Sequence, residues 1–159
     1  MTFLDAINNT SATLKDLGFN LKDSKDLGMH KYATFTNGLY DVCYSYDRGG
    51  IEFVVHIKNG DRLDVISLIN WLYKTPSKNK FPEIGQFTDE VTIQYFADLF
   101  SKEFEVINQF LTTSAEKEIK EFKDKQSFDG AKYWSKVFTD KGRPIPDSLR
   151  KIIEKGETN

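Results

Sequence analysis

Between residues 32 and 58, three runs of β-forming residues are separated by Asn37-Gly38 and by Asp47-Arg48-Gly49-Gly50. This punctuation constrains the fold more than any other feature, because it predicts an antiparallel meander whose register can be written down. An Asn-Gly pair favours the two-residue hairpin turn, in which both central residues take positive φ. Such a turn sets Thr36 opposite Leu39, Phe35 opposite Tyr40 and Thr34 opposite Asp41. The second turn pairs Tyr46 with Ile51 and Tyr44 with Phe53. Side chains alternate along a strand, so one face collects Ala33, Phe35, Tyr40, Val42, Tyr44, Tyr46, Ile51, Phe53, Val55 and Ile57. The other carries Thr34, Asp41, Cys43, Ser45, Glu52, Val54, His56 and Lys58. The first is a core face and the second a mixed face.

Helical patterns flank this meander. A helix is predicted over 2–17, with Thr2 as N-cap, Asp5 three residues on, and Phe3, Leu4, Ile7, Leu14 and Leu17 along one stripe. Gly18 ends it; 19–21 suggests a short strand, and the polar stretch 22–31 reads as a loop. After Asn59-Gly60-Asp61-Arg62, Asp64 caps a helix through Val65, Leu68, Ile69, Leu72 and Tyr73, with 63–66 open to either strand or helix. Pro76 and Pro82 make 75–86 an exposed connection. A principal helix runs from Thr88 to Leu111, and Thr113 with Glu116 reads as a capping box for a charged helix reaching Lys125. Two shorter helices follow, one using Ala131, Trp134, Val137 and Phe138, the other Leu149, Ile152 and Ile153 up to Gly156. This order predicts an α+β fold: an N-terminal helix, a three- or four-stranded antiparallel meander, and C-terminal helices packed on one sheet face. At 159 residues a single domain over 1–159 is expected.

Charge and composition remove several function classes. The 22 basic against 24 acidic residues give a net charge of -2, without the basic excess that marks nucleic-acid binding. No apolar run approaches the roughly 20 residues of a membrane span, and the first residues lack the pattern of a signal peptide, so a cytoplasmic protein is expected. A lone cysteine, Cys43, excludes an intrachain disulfide.

Catalytic chemistry would have to use His30 or His56, the two histidines of the chain. His56 falls across from Asp41 in the predicted register, where a carboxylate can orient the imidazole and favour its charged form. No nucleophile accompanies them in a motif, and Cys43, on the same face, reads as a small buried hydrophobe. Two histidines and one cysteine do not build a structural zinc site, and Arg48-Gly49-Gly50 precedes a strand instead of opening a phosphate-binding helix. No cofactor or metal is expected. The aromatic row Tyr40, Tyr44, Tyr46 and Phe53 lies on the core face and so reads as packing, not as a base-stacking platform.

By elimination the chain reads as a protein-binding domain. Its order of helix, meander (Tyr40-Asp41-Val42-Cys43-Tyr44-Ser45-Tyr46-Asp47) and helical end resembles small α+β immunity proteins of bacterial contact-dependent or polymorphic toxin systems. That resemblance implies an inhibitor neutralising a cognate toxin. The acids around the meander point to a basic partner such as a nuclease toxin, met by Asp41, Asp47, Glu52, His56 and Asp61. Two other readings stay open: an adaptor or phage-type interaction protein, and a small-molecule-binding or enzymatic domain using the His56/Asp41 face. The oligomeric state is not legible.

Overall fold

The computed structural model describes residues 2–47, 50–74, 88–114 and 116–158. Where the sequence suggested one domain, the chain divides into two compact units, 1–113 and 114–159. The predicted 75–86 connection and Arg48-Gly49 lie outside the described residues.

The first unit opens with α1 (Phe3–Asp16), which starts at the predicted capping box: the Asp5 N–H donates to Thr2 Oγ1 at 3.1 Å and the Thr2 N–H to Asp5 Oδ2 at 3.0 Å. It ends at Gly18, whose φ of 92° lets the Phe19 N–H return to the Leu14 carbonyl at 3.0 Å. Five antiparallel strands follow in sequential order: β1 (Asn20–Asp26), β2 (His30–Thr36), β3 (Asp41–Asp47), β4 (Gly50–His56) and β5 (Arg62–Asp64). The fold is α+β, as expected, with more strands than the sequence disclosed. β1 corrects the loop expected over 22–31. It is an edge strand exposed almost throughout, so no apolar alternation marks it, and Gly28-Met29 makes its turn into β2.

Asn37-Gly38 is also corrected. Thr36 faces Asp41, not Leu39, and Phe35 faces Val42, so 37–40 form a four-residue connection. Asn37 is not among the described residues of positive φ, whereas Gly38 has φ 85°. The Asn37 side chain accepts the N–H groups of Leu39 at 2.9 Å and Tyr40 at 3.0 Å, closing the turn without the left-handed backbone that a two-residue loop demands. The displacement is two residues, which preserves face parity, so both face assignments hold. The second turn keeps its predicted register, with Tyr46 against Ile51 and Asp41 against His56.

Short helices complete the unit: α2 (Val65–Leu72), capped by Asp64 as predicted, then α3 (Asp89–Lys102) and α4 (Phe104–Thr113). The single principal helix expected from Thr88 to Leu111 is therefore broken at Glu103, a buried carboxylate that accepts the Tyr73 hydroxyl. Phe53 stacks on Tyr44 at 4.5 Å and meets Phe96 at 5.7 Å and Phe100 at 5.5 Å, which puts the core between the Tyr/Val/Phe sheet face and α3. Phe3 of α1 meets Tyr46 on the same face at 6.3 Å.

The second unit is an αα-hairpin of α5 (Glu116–Asp140) and α6 (Asp147–Glu157). α5 is one 25-residue helix where two were expected. Thr113 closes α4, its hydroxyl donating to the Gln109 carbonyl at 2.6 Å, instead of capping the next helix. Gly156 lets α6 approach α5 closely, since a Cβ there would lie 2.2 Å from the Phe128 ring.

Candidate functional site

The sheet face turned away from the Tyr/Val/Phe core is built by period-two alternation on β2, β3 and β4, with β1 and β5 at its margins. Across its centre run Thr34, Cys43 and Val54, paired Thr34 to Cys43 and Cys43 to Val54. Cys43 and Val54 are buried among their neighbours, while Asp47 and Glu52 are exposed and Asp41 and His56 half-buried. Asp41, Glu52 and His56 thus share one face, as the register predicted, and Asp47, expected in the turn, ends β3 on the same face. Asp61 does not share it. It sits in the β4–β5 turn, where its N–H donates to Asn59 Oδ1 at 2.9 Å and its carboxylate accepts the Asn59 amide at 2.7 Å.

Two of these acids are neutralised within the chain. Lys22, brought in by the bulge in β1 between Leu21 and Asp23, reaches over β2 to Asp41 at 2.9 Å. Arg62 on β5 pairs with Glu52. Partial burial pushes the Asp41 carboxyl up, but the hydrogen bonds from Lys22 and Thr36 and the charges of Lys22 and His56 outweigh it and hold it below the ordinary range. The polar neighbour of Asp41 across the β2–β3 ladder is Thr36, not the expected Thr34.

His56 lies directly across from Asp41, yet no hydrogen bond joins them among the described residues. Burial lowers the imidazole pKa, the Arg62 charge lowers it further, and the opposing Asp41 charge is insufficient to reverse this. Asp41 thus favours the charged imidazole, as expected, but burial and Arg62 outweigh it and the neutral form is favoured. Burial also pushes the Cys43 thiol up, with Thr34 Oγ1 donating to Sγ at 3.5 Å, so this sulfur is held as a thiol and not as a nucleophilic thiolate. His30, expected in a loop, begins β2 opposite Asp47.

Sequence reasoning missed Lys22, Arg62 and Asp64 as members of this face. Asp64 pairs with Val54 and accepts the Ser67 N–H at 2.8 Å as the cap of α2, and burial raises its carboxyl despite that bond. Lys22 was hidden because its strand was. Among the described residues no group of three His, Cys, Asp or Glu side chains is placed to hold a metal ion, and no helix is long and apolar enough to cross a membrane. The acidity of the chain resides in the first unit, where residues 1–113 carry eleven Lys and Arg against fifteen Asp and Glu. Residues 114–159 carry eleven against nine.

No protein-family model, curated protein or solved structure matches the chain.

Proposed function

We propose that this chain is a non-catalytic protein-binding domain, an immunity or inhibitor protein that neutralises a cognate bacterial toxin through the polar face of its sheet. The observation that carries the reading is the state of that face. Its carboxylates and its imidazole stand together, yet among the described residues no hydrogen bond from Asp41 orients His56, and Cys43 is buried with its sulfur on the Thr34 hydroxyl. Such a surface suits recognition better than nucleophilic or acid/base catalysis.

A basic partner, such as a nuclease whose cleft must attract phosphate, complements the acid excess of residues 1–113. Asp47 is exposed and makes no ion pair among the described residues, so it is the acid of this face best placed to act at long range. Asp41 and Glu52 would meet a partner as ion pairs with Lys22 and Arg62, presenting both signs and favouring orientation over bulk attraction.

The test is co-expression with the product of the adjacent gene, followed by purification of a defined complex and assay of that product's toxicity. The reading expects a one-to-one complex and loss of toxicity. Absence of a complex, or a hydrolase activity of the chain itself that His56→Ala abolishes while leaving its circular dichroism intact, would overturn it.

A further inference from the structure

β1 occupies one edge of the five-stranded sheet, and among the described residues no strand pairs with its outer side. Edge strands are ordinarily guarded by charge and bulges against pairing with other chains. β1 has both, with a bulge at its start and the run Leu21-Lys22-Asp23-Ser24-Lys25-Asp26-Leu27. That run, however, is complementary to its own reverse. If two copies lie antiparallel with Ser24 opposite Ser24, Asp23 of each faces Lys25 of the other, so opposite charges meet on both sides of the axis; beyond them the bulge at Lys22 ends the regular ladder, with Lys22 held by Asp41 and Asp26 by Lys31 within the chain.

The charges also reject the neighbouring registers. A slip of one residue toward the C-terminal end sets Asp23 against Asp26, and a slip of two sets Asp23 or Lys25 against itself. Like charges directly opposite on paired strands are destabilising, so one register is selected and the others are discouraged.

Backbone phase agrees with this register. The Leu27 N–H donates to the His30 carbonyl at 2.9 Å, which makes Leu27 and His30 a hydrogen-bonded pair. By antiparallel alternation Lys25 and Asp23 direct their backbone groups to β2, and Ser24 and Asp26 direct theirs outward. Ser24 can then exchange both hydrogen bonds with its copy. Asp23 and Lys25 of the two chains fall in the closer, non-hydrogen-bonded pairs, and both project to the polar face, opposite Thr34 and Tyr32. Lys25 makes no ion pair within its own chain among the described residues, whereas Asp23 accepts the Tyr32 hydroxyl at 3.0 Å. Leu21 and Leu27, 45% and 66% exposed, stand at the two ends of the run.

We propose that β1 is a self-association edge, at which a second copy of this chain pairs antiparallel about a two-fold axis through Ser24 and joins two five-stranded sheets into one. The bulge limits the regular ladder to Asp23, Ser24 and Lys25 of each copy, so the dimer is weak and concentration-dependent. The proposal does not depend on the toxin-inhibitor reading.

The full-length chain is examined by sedimentation over a concentration series, with circular dichroism as the check on folding. The wild type is expected to rise toward twice the monomer mass. Lys25→Asp, which sets two aspartates against each other in each symmetric pair, abolishes the rise, and Lys25→Asp combined with Asp23→Lys restores it by exchanging the signs. Ser24→Cys forms a disulfide-linked dimer under mild oxidation, while Ser127→Cys on the exposed surface of α5 does not. A wild type that stays monomeric throughout overturns the proposal. So does a dimer that ignores Lys25→Asp, or one that the double exchange fails to restore, or failure of Ser24→Cys to cross-link.

Discussion

Replacing Phe53 by alanine tests the assignment of the two sheet faces. Phe53 is fully buried, stacks on Tyr44 at 4.5 Å, and presents its ring to Phe96 and Phe100 of α3. A buried aromatic side chain removes roughly 150–250 Å² from water, and Phe→Ala at such sites costs roughly 3–5 kcal/mol. With the Tyr44 stack contributing beyond its area, about 4–5 kcal/mol is expected, a large share of the roughly 5–15 kcal/mol that holds a domain together. At about 4 °C per kcal/mol for a unit of this size, the melting temperature falls by roughly 15–20 °C. Phe53→Leu keeps much of the volume and should cost less. The informative control is Val54→Ala. Val54 is also buried, at 4% exposure, but projects to the polar face, and losing two methyl groups there costs about 1.5 kcal/mol. Urea unfolding of the three variants decides the matter. If Phe53→Ala costs no more than Val54→Ala, the core does not lie where the ring contacts put it, and the polar face is not the free one.

Other expectations follow from single sites. Asn37→Ala removes the acceptor of the Leu39 and Tyr40 N–H groups and should cost about 1–2 kcal/mol by urea unfolding, whereas Asn37→Asp, which keeps that acceptor, should cost less. On acidification, His56 and Asp41 act in the same direction: both have folded pKa values below their ordinary 6.5 and 3.8, so the stability each contributes is present above that value and lost as pH falls through the folded one. Asp64, raised by burial, works in the opposite sense near the carboxylate range, so the His56 step is the one to read. His56→Gln should flatten the loss of urea midpoint just below pH 6.5 and leave the lower step. Gly156→Ala sets a Cβ against the Phe128 ring and should destabilise 114–159 alone, detectable as lost amide protection in α6 with α1 and the sheet unchanged.

What could be read from the sequence followed from parity and from apolar contrast. Tyr46 meets Ile51 and Asp41 meets His56 as written, because the second turn brackets strands whose faces differ sharply. The Asn37-Gly38 turn was misread by two residues, since an asparagine that bonds the following N–H groups closes a longer loop just as well. A two-residue connection lies at Gly28-Met29, in a stretch whose polarity concealed it. Polar edge strands are held by the backbone ladder, which hydrophobic periodicity does not register. That one omission propagated into the site: with β1 unseen, Lys22 stood in a loop, and Asp41 was counted as a free acid when it is ion-paired. The break at Glu103 carries neither glycine nor proline, and the bond its buried carboxylate accepts from the Tyr73 hydroxyl is a tertiary contact that no local sequence pattern discloses.

The rate of complex formation with the adjacent gene's product at low ionic strength tests the proposed function most directly. Asp47→Lys with Glu52→Lys removes an acid of the polar face that makes no ion pair among the described residues and sets a lysine beside Arg62, reversing the local field. Glu118→Lys with Glu121→Lys makes the same change in charge on the exposed surface of α5. The account predicts that the first pair slows association at least tenfold, that this loss shrinks as salt is added, and that the second pair has little effect. Equal rates for the two double variants, or slowing by the α5 pair alone, would contradict it.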